Sequence, residues 1–386
     1  MESKGEDDLG EVVEPSSSSI AEKMGTATSI RSSPTPIAGT PIEADVANSG
    51  LPSPNDDMSM EVPSDVFKFE KENGRTYHGF RPGTYHFPND PTETDRLDFQ
   101  FEILKYCFSN RNYFAPLKNP ERILDIGTGT GQWAIEIADE FPSAEVQATD
   151  LSPIQPSSVP VNVQFFIDDA AEEDWAVPPA YFDFIHSRVL VGCFENFGVI
   201  VQRAFHYLKP GGHMESQEMM SKPHCDDGTM LSNWPFLEWS RYIDDAAEQT
   251  GRPLRIANKL RGWYEAAGFV DVQEKMLKIP MNPWPKDRHL KNLGRMQEQN
   301  IVSGLGGLSM AYFSRVLGWS KNEIEVYLVD VRRSISDRDV HAYHKVFVVW
   351  GRKPFDHEVK GKQAEPPSSE FTFQAPGPST QPTATM

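Results

Sequence analysis

Cysteine is scarce. The 386 residues hold three, Cys107, Cys193 and Cys225. An odd, sparse set without pairing or metal-ligand spacing excludes a disulfide framework and fits a reducing compartment. Long apolar runs are missing too. None reaches the roughly 18–20 residues needed to span a bilayer. The acidic start, MESKGEDD, lacks the apolar core of a signal peptide, and the TATM end is no prenylation signal. No membrane association is expected. Basic charge is in deficit: 37 Lys and Arg stand against 56 Asp and Glu, a net charge of −19. That disfavours direct nucleic-acid binding, and no Lys/Arg cluster resembles an import signal. Aromatic residues are absent from positions 1–62, which are rich in Ser, Thr, Pro, Gly and acid. Such a segment cannot bury enough apolar surface to offset chain entropy, so it is expected to be a disordered tail.

Residues 1–65 carry thirteen acids and three bases, so the charge is concentrated there. The remaining length suits one large domain or two small ones. Residues 63–118 are expected to form a cap segment and 119–355 the main domain, with a second disordered tail over 356–386. The cap contains NGRTYHGFRPGTYHFPNDPTETDRLD and runs into a helix over 93–109, whose Leu97, Phe101, Leu104 and Phe108 fall at helical spacing.

The chain is organised around residues 121–133, ERILDIGTGTGQW. An apolar strand ends at Gly127-Thr128-Gly129-Thr130-Gly131, and an amphipathic helix follows. A strand, a glycine-rich turn and a helix let backbone approach a ligand closely. The spacing is D-x-G-x-G-x-G, not the G-x-G-x-x-G of a dinucleotide site. A dinucleotide site sets a pyrophosphate on the helix N-terminus, whereas here Asp125 sits at the strand end just before the glycines and would repel a pyrophosphate while attracting an amino group. Asp150 ends a second strand, where a carboxylate can accept both hydroxyls of a ribose. A third apolar stretch ends in Asp168-Asp169-Ala170, where one carboxylate could accept from an adenine amino group. A fourth, 181–185, ends at His186-Ser187-Arg188. A helix over 199–208 then leads through Lys209-Pro210-Gly211-Gly212 into a fifth strand.

In this order and spacing, the elements resemble a class I S-adenosylmethionine-dependent methyltransferase. The resemblance implies an α/β, Rossmann-like seven-stranded sheet with helices on both faces, an N-terminal helical cap and a helical insertion before the last strand. It implies S-adenosylmethionine as cofactor, held by Asp125, Gly127, Thr128, Gly129, Gly131, Asp150, Leu151, Asp168, Asp169, Ala170 and His186. A nicotinamide-dependent oxidoreductase fails on the glycine spacing, on Asp125 and on LKPGG.

A narrower resemblance follows. ENGRTYHGFRPGTYHFPND, then E-x-D-R-L-D, DIGTGTGQWAIE, Asp150-Leu151-Ser152-Pro153-Ile154-Gln155-Pro156, Asn282-Pro283-Trp284, Phe313-Ser314-Arg315-Val316 and His341-Ala342-Tyr343-His344 are similar to the fungal LaeA-type methyltransferase family. The similarity covers about residues 72–354. It implies a place in fungal secondary metabolism, as a pathway methyltransferase or as a regulator that binds velvet-domain proteins, in the cytoplasm or the nucleus. Many relatives have Gly-Cys-Gly-Thr-Gly where this chain has Gly-Thr-Gly-Thr-Gly, a mild change. His-Ser-Arg after the fourth strand is shared with relatives outside the regulator itself and tilts the reading towards a pathway enzyme. The methyl acceptor is a small molecule or a protein side chain.

Beyond the fifth strand, helices are expected over 234–248 and 256–267, a sixth strand over 269–279, and a helical insertion over 283–340 with its clearest helices at 286–300 and 321–336. A last strand runs over 346–350. The insertion lies near the carboxyl edge, where ligands bind in such sheets, and is a candidate substrate lid, with Tyr77, His78, Arg81 and Trp284 as lid or substrate residues. A general base is needed only for an acceptor that arrives protonated. His186 and Glu218 are the candidate catalytic bases. Each also has a plain structural reading, an edge histidine and a structural carboxylate. No metal site is expected, since Asp168, Asp169 and Asp174 are too loosely spaced.

Overall fold

The computed structural model describes residues 68–363; the expected first tail and most of the second lie outside the described residues. Its centre is a seven-stranded sheet with the order β5-β4-β3-β6-β7-β9-β8. The strands are β3 (Arg122–Ile126), β4 (Glu145–Asp150), β5 (Val163–Ile167), β6 (Phe182–Arg188), β7 (Leu208–Met219), β8 (Val270–Pro280) and β9 (Tyr343–Arg352). The first five pair in parallel, while β9 runs antiparallel to both β7 and β8. Strand order reverses direction between β3 and β6, where Asp125 lies opposite His186. In open sheets of this kind the crevice beyond the strand ends at that switch point is where ligands bind.

Alternation along the strands feeds two faces. Leu124, Ile126 and Ile185 pack with α3 (Phe197–Tyr207) and α5 (Leu260–Ala267). Ile123, Val146 and Phe184 pack with α2 (Gln132–Glu140) and with Phe101 of α1 (Pro91–Cys107). Asp90 caps α1 by accepting from the Glu93 amide, next to proline in the first turn.

The N-terminal cap is not only helical. A short hairpin, β1 (Glu70–Glu72) with β2 (Arg75–Tyr77), precedes α1. It is joined to the helix by Arg75, whose guanidinium grips both oxygens of Asp90. The insertion holds α6 (Arg288–Ala311), a π-turn over Tyr312–Val316 and α7 (Lys321–Ile335). With α4 (Pro235–Gln249) it encloses an aromatic-rich core around Phe236, Trp239, Tyr312 and Phe313. The expected second tail begins too early: residues 356–363 form a helix, α8, whose Glu358 pairs with Arg352 of β9.

α7 begins with a reciprocal cap. Ser320 Oγ accepts from the Glu323 amide at 3.3 Å, and the Glu323 carboxylate accepts from the Ser320 amide at 2.8 Å. Ser320→Ala is expected to lower stability by about 0.5–2 kcal/mol, measured as a shift in the urea midpoint at constant slope. No change would mean that packing alone holds this helix end.

Candidate functional site

A cavity opens at the switch point. Its walls come from the glycine turn after β3, the ends of β4, β5 and β6, the loop over 189–194, and the cap. The turn is held from one side by Asp150. One oxygen of that carboxylate accepts from the Gly129 amide at 2.8 Å, the other from the Ser152 amide at 2.9 Å. Burial is the main influence on Asp150 and pushes its carboxyl up to about 6, with the two amides pulling down and the Asp125 charge pushing up. Gly129 forms open wall. A Cβ there would meet only Leu97, at 3.9 Å. Gly131 does a different job. It lies at the start of α2 with φ of 84°, and a Cβ would sit 2.5 Å from the Phe165 ring, so it packs the helix against β5 instead of lining the cavity.

Asp125, Gly127, Thr128, Gly129, Asp150, Leu151, Asp168, Asp169, Ala170 and His186 all line this cavity. Asp125 does not wait free for an amino group: one oxygen bonds His186 Nδ1 at 2.8 Å. The His186 ring also stacks flat on Trp133, with centroids 3.7 Å apart. Burial pulls the imidazole down to about 4 despite the Asp125 bond, which raises it. His186 is therefore neutral at physiological pH, and its carboxylate partner favours the tautomer with the proton on Nδ1.

Glu218 is displaced from the expected position. β7 continues through it to Met219, so it stands inside the strand. It lines neither this cavity nor its neighbour. It is fully buried and accepts from the Leu190 amide at 3.0 Å, anchoring the loop after β6. Burial raises its carboxyl to about 8, which favours the protonated form at neutral pH.

Of the expected lid residues, Arg81 reaches from the cap to Asp169 at 3.4 Å and also bonds Glu172, latching the cap to the loop after β5. Tyr77, His78 and Trp284 line neither cavity. Tyr77 is buried under the Arg315 guanidinium, and His78 bonds the Arg81 carbonyl at 3.1 Å. Trp284 donates to the Ala342 carbonyl at 3.1 Å and braces the insertion. Tyr85 and Asn89 are among the cap residues that line the first cavity instead, and Asn89 bonds Ser152. Both lay within the aromatic stretch already singled out, but spacing alone could not say which of its residues turn inward.

Arg188 is the residue the sequence undervalued. Arg188 lines the cavity, and its guanidinium is surrounded by protein; burial pulls it down to about 10. Nε donates to Gln217 at 2.7 Å and Nη2 to the Asn112 carbonyl at 3.1 Å, while Nη1 has no partner. Thr128 Oγ1 is likewise buried and unpartnered. Carboxylates, an unused guanidinium donor and a glycine wall together fit a zwitterionic amino-acid group joined to a nucleoside.

The sheet order, with its one reversed strand beside β7, and this crevice are those of a class I S-adenosylmethionine-dependent methyltransferase. A family model described as a methyltransferase domain matches residues 99–274. Methyltransferase pytC of Aspergillus terreus is 36% identical over 302 residues, covering 78% of this chain and 93% of that one. Secondary metabolism regulator LAE1 of Cochliobolus heterostrophus is 36% identical over 289 residues, 73% and 94% of the two chains. Secondary metabolism regulator laeA of Aspergillus flavus is 34% identical over 308 residues, 79% and 82%. The chain belongs to the fungal LaeA-type methyltransferase family, and its cofactor is S-adenosylmethionine. Among the described residues, no helix is long and apolar enough to cross a membrane.

Proposed function

We propose that the chain transfers a methyl group to a small metabolite in fungal secondary metabolism, with the cofactor in the switch-point cavity. The observation that carries this reading is the set of unused polar groups there, above all Arg188 Nη1. Asp150 takes the ribose hydroxyls while holding the turn, and Asp168 or Asp169 takes the adenine amino group, with Ala170 and Leu151 against the base. The glycine turn and Thr128 lie along the nucleoside and amino-acid chain. Asp125 takes the amino group and Arg188 the carboxylate. His186 is a positioning residue, fixing Asp125 from beneath. S-adenosylmethionine supplies a methyl group made electrophilic by its sulfonium. The protein's task is to hold the acceptor in line, a constraint worth roughly 7–11 kcal/mol of barrier. Calorimetry of the full chain with S-adenosylmethionine and S-adenosylhomocysteine tests the reading; no binding of either by folded protein would overturn it.

Arg188→Met is expected to weaken S-adenosylhomocysteine about 10- to 100-fold, the worth of one charged hydrogen bond. Methylthioadenosine, which lacks the carboxylate, should bind the variant as it binds the parent. Equal losses for both ligands would mean that Arg188 only supports the cavity wall.

The names of two relatives also favour a regulatory role beside catalysis. That role predicts co-purification with velvet-domain proteins, in the nucleus or the cytoplasm. Recovery of the chain alone would count against it.

A further inference from the structure

A second cavity adjoins the first. The two share Tyr85, Leu97, Gln100 and Val189 as common wall. Its remaining surface is chiefly apolar, from Phe236, Trp239 and Ile243 of α4 and Ile301 and Leu308 of α6. One wall is polar and ordered in a single direction. Arg96 is buried and forks onto Glu93 at 3.0 and 2.6 Å, which neutralises its charge. Its Nη1 donates to Asn300 Oδ1 at 3.1 Å. The Asn300 amide nitrogen then faces Gln297 Oε1 at 3.5 Å, and Gln297 Nε2 faces His344 Nδ1 at 3.4 Å.

Arginine can only donate. It therefore fixes the Asn300 amide with oxygen inward, which fixes Gln297 with its oxygen toward Asn300 and its NH2 toward His344. His344 Nδ1 must accept, so the ring proton sits on Nε2. Burial holds this imidazole neutral, lowering it to about 4. The Nε2 is buried without a partner, on a side chain that lines the cavity.

We propose that this second cavity is the methyl-acceptor site and that it takes a neutral, mainly apolar small molecule anchored through a carbonyl oxygen on the Nε2–H of His344. The inference rests on the cofactor lying in the first cavity, since the shared wall is what sets an occupant beside the methyl group. A cavity whose one guanidinium is already paired with Glu93 offers nothing to a free carboxylate. Its unused donor asks for an acceptor atom.

The test uses the full chain saturated with S-adenosylhomocysteine, with 1-tetralone and tetralin as probes, a ketone and its hydrocarbon. Tetralone should bind saturably. His344→Leu should reduce the preference for tetralone over tetralin about 3- to 10-fold, the worth of one neutral hydrogen bond. Ser240→Phe should fill the cavity and abolish binding of both probes. Ser240 is buried on α4 and lines the second cavity alone, so S-adenosylhomocysteine affinity should be retained in both variants and reports that they are folded. The proposal is overturned by an unchanged tetralone preference in His344→Leu, by probe binding that survives Ser240→Phe, or by no tetralone binding to protein that binds S-adenosylhomocysteine. Failure of the parent to bind S-adenosylhomocysteine would instead overturn the cofactor reading.

Discussion

Asp150→Ala is expected to weaken S-adenosylhomocysteine binding by at least ~3 kcal/mol, more than about 100-fold. The carboxylate acts twice. It accepts from the Gly129 and Ser152 amides, which shapes the turn, and it is proposed to accept from the ribose. Each charged hydrogen bond is worth about 1.5–3 kcal/mol, and alanine removes them together. Asp150→Asn should fall between the two, since its single oxygen can keep one amide. Calorimetry decides the matter; a loss under about tenfold for alanine would place the ribose elsewhere.

Asp150 also gives binding a pH dependence. Its carboxyl is raised to about 6 in the folded chain, from an ordinary 3.8. Between those values the folded protein holds a proton that the unfolded chain has released. Stability therefore falls as pH rises through that window. Binding has the opposite sign, because the ionised carboxylate is the better acceptor. Affinity should drop as pH falls below about 6, and that drop should be absent from Asp150→Asn.

Trp133→Ala is expected to cost about 3–5 kcal/mol of stability, the usual toll for emptying a buried aromatic site. Trp133 stacks on His186, and its Nε1 donates to the Asn112 carbonyl at 2.9 Å. It thereby joins the first turn of α2, the floor of the cavity and the segment after α1. Truncation should also weaken cofactor binding, because His186 would lose the stack that holds its ring in place to bond Asp125. Trp133→Phe should keep part of the stack and lose about 1 kcal/mol with the indole bond. Urea unfolding with both variants separates ring from hydrogen bond. A cost below about 1 kcal/mol for alanine would show that the stack carries little.

Local pattern was enough for the glycine turn, the carboxylates at the ends of β3, β4 and β5, and the seven strands, because each is written in a few neighbouring residues. Strand ends were less legible. His186 and Glu218 lie inside strands that run two and one residues further, Arg188 and Met219 being the last. An apolar run ends where side chains turn polar, but these strands carry buried polar groups paired across the sheet, such as Ser187 with Ser216 at 2.9 Å. The helix at 356–363 was hidden in the same way, since its anchor is Arg352 on another element.

What the sequence pointed to by itself was the class of cofactor: a carboxylate before the glycines that would repel a pyrophosphate, and a second one ending the next strand. Those are local facts of charge and backbone freedom. Direction of side chains was decided only by the tertiary structure. Alternation along β7 sends Glu218 under the loop at Leu190 instead of into a cavity, and turns Glu215 to the other face, against the amides of Phe114 and Ala115. The string from Arg96 to His344 joins residues about 250 apart in the chain. No spacing encodes it, because its order comes from a guanidinium that can only donate and from the packing of α1, α6 and β9 around one cavity.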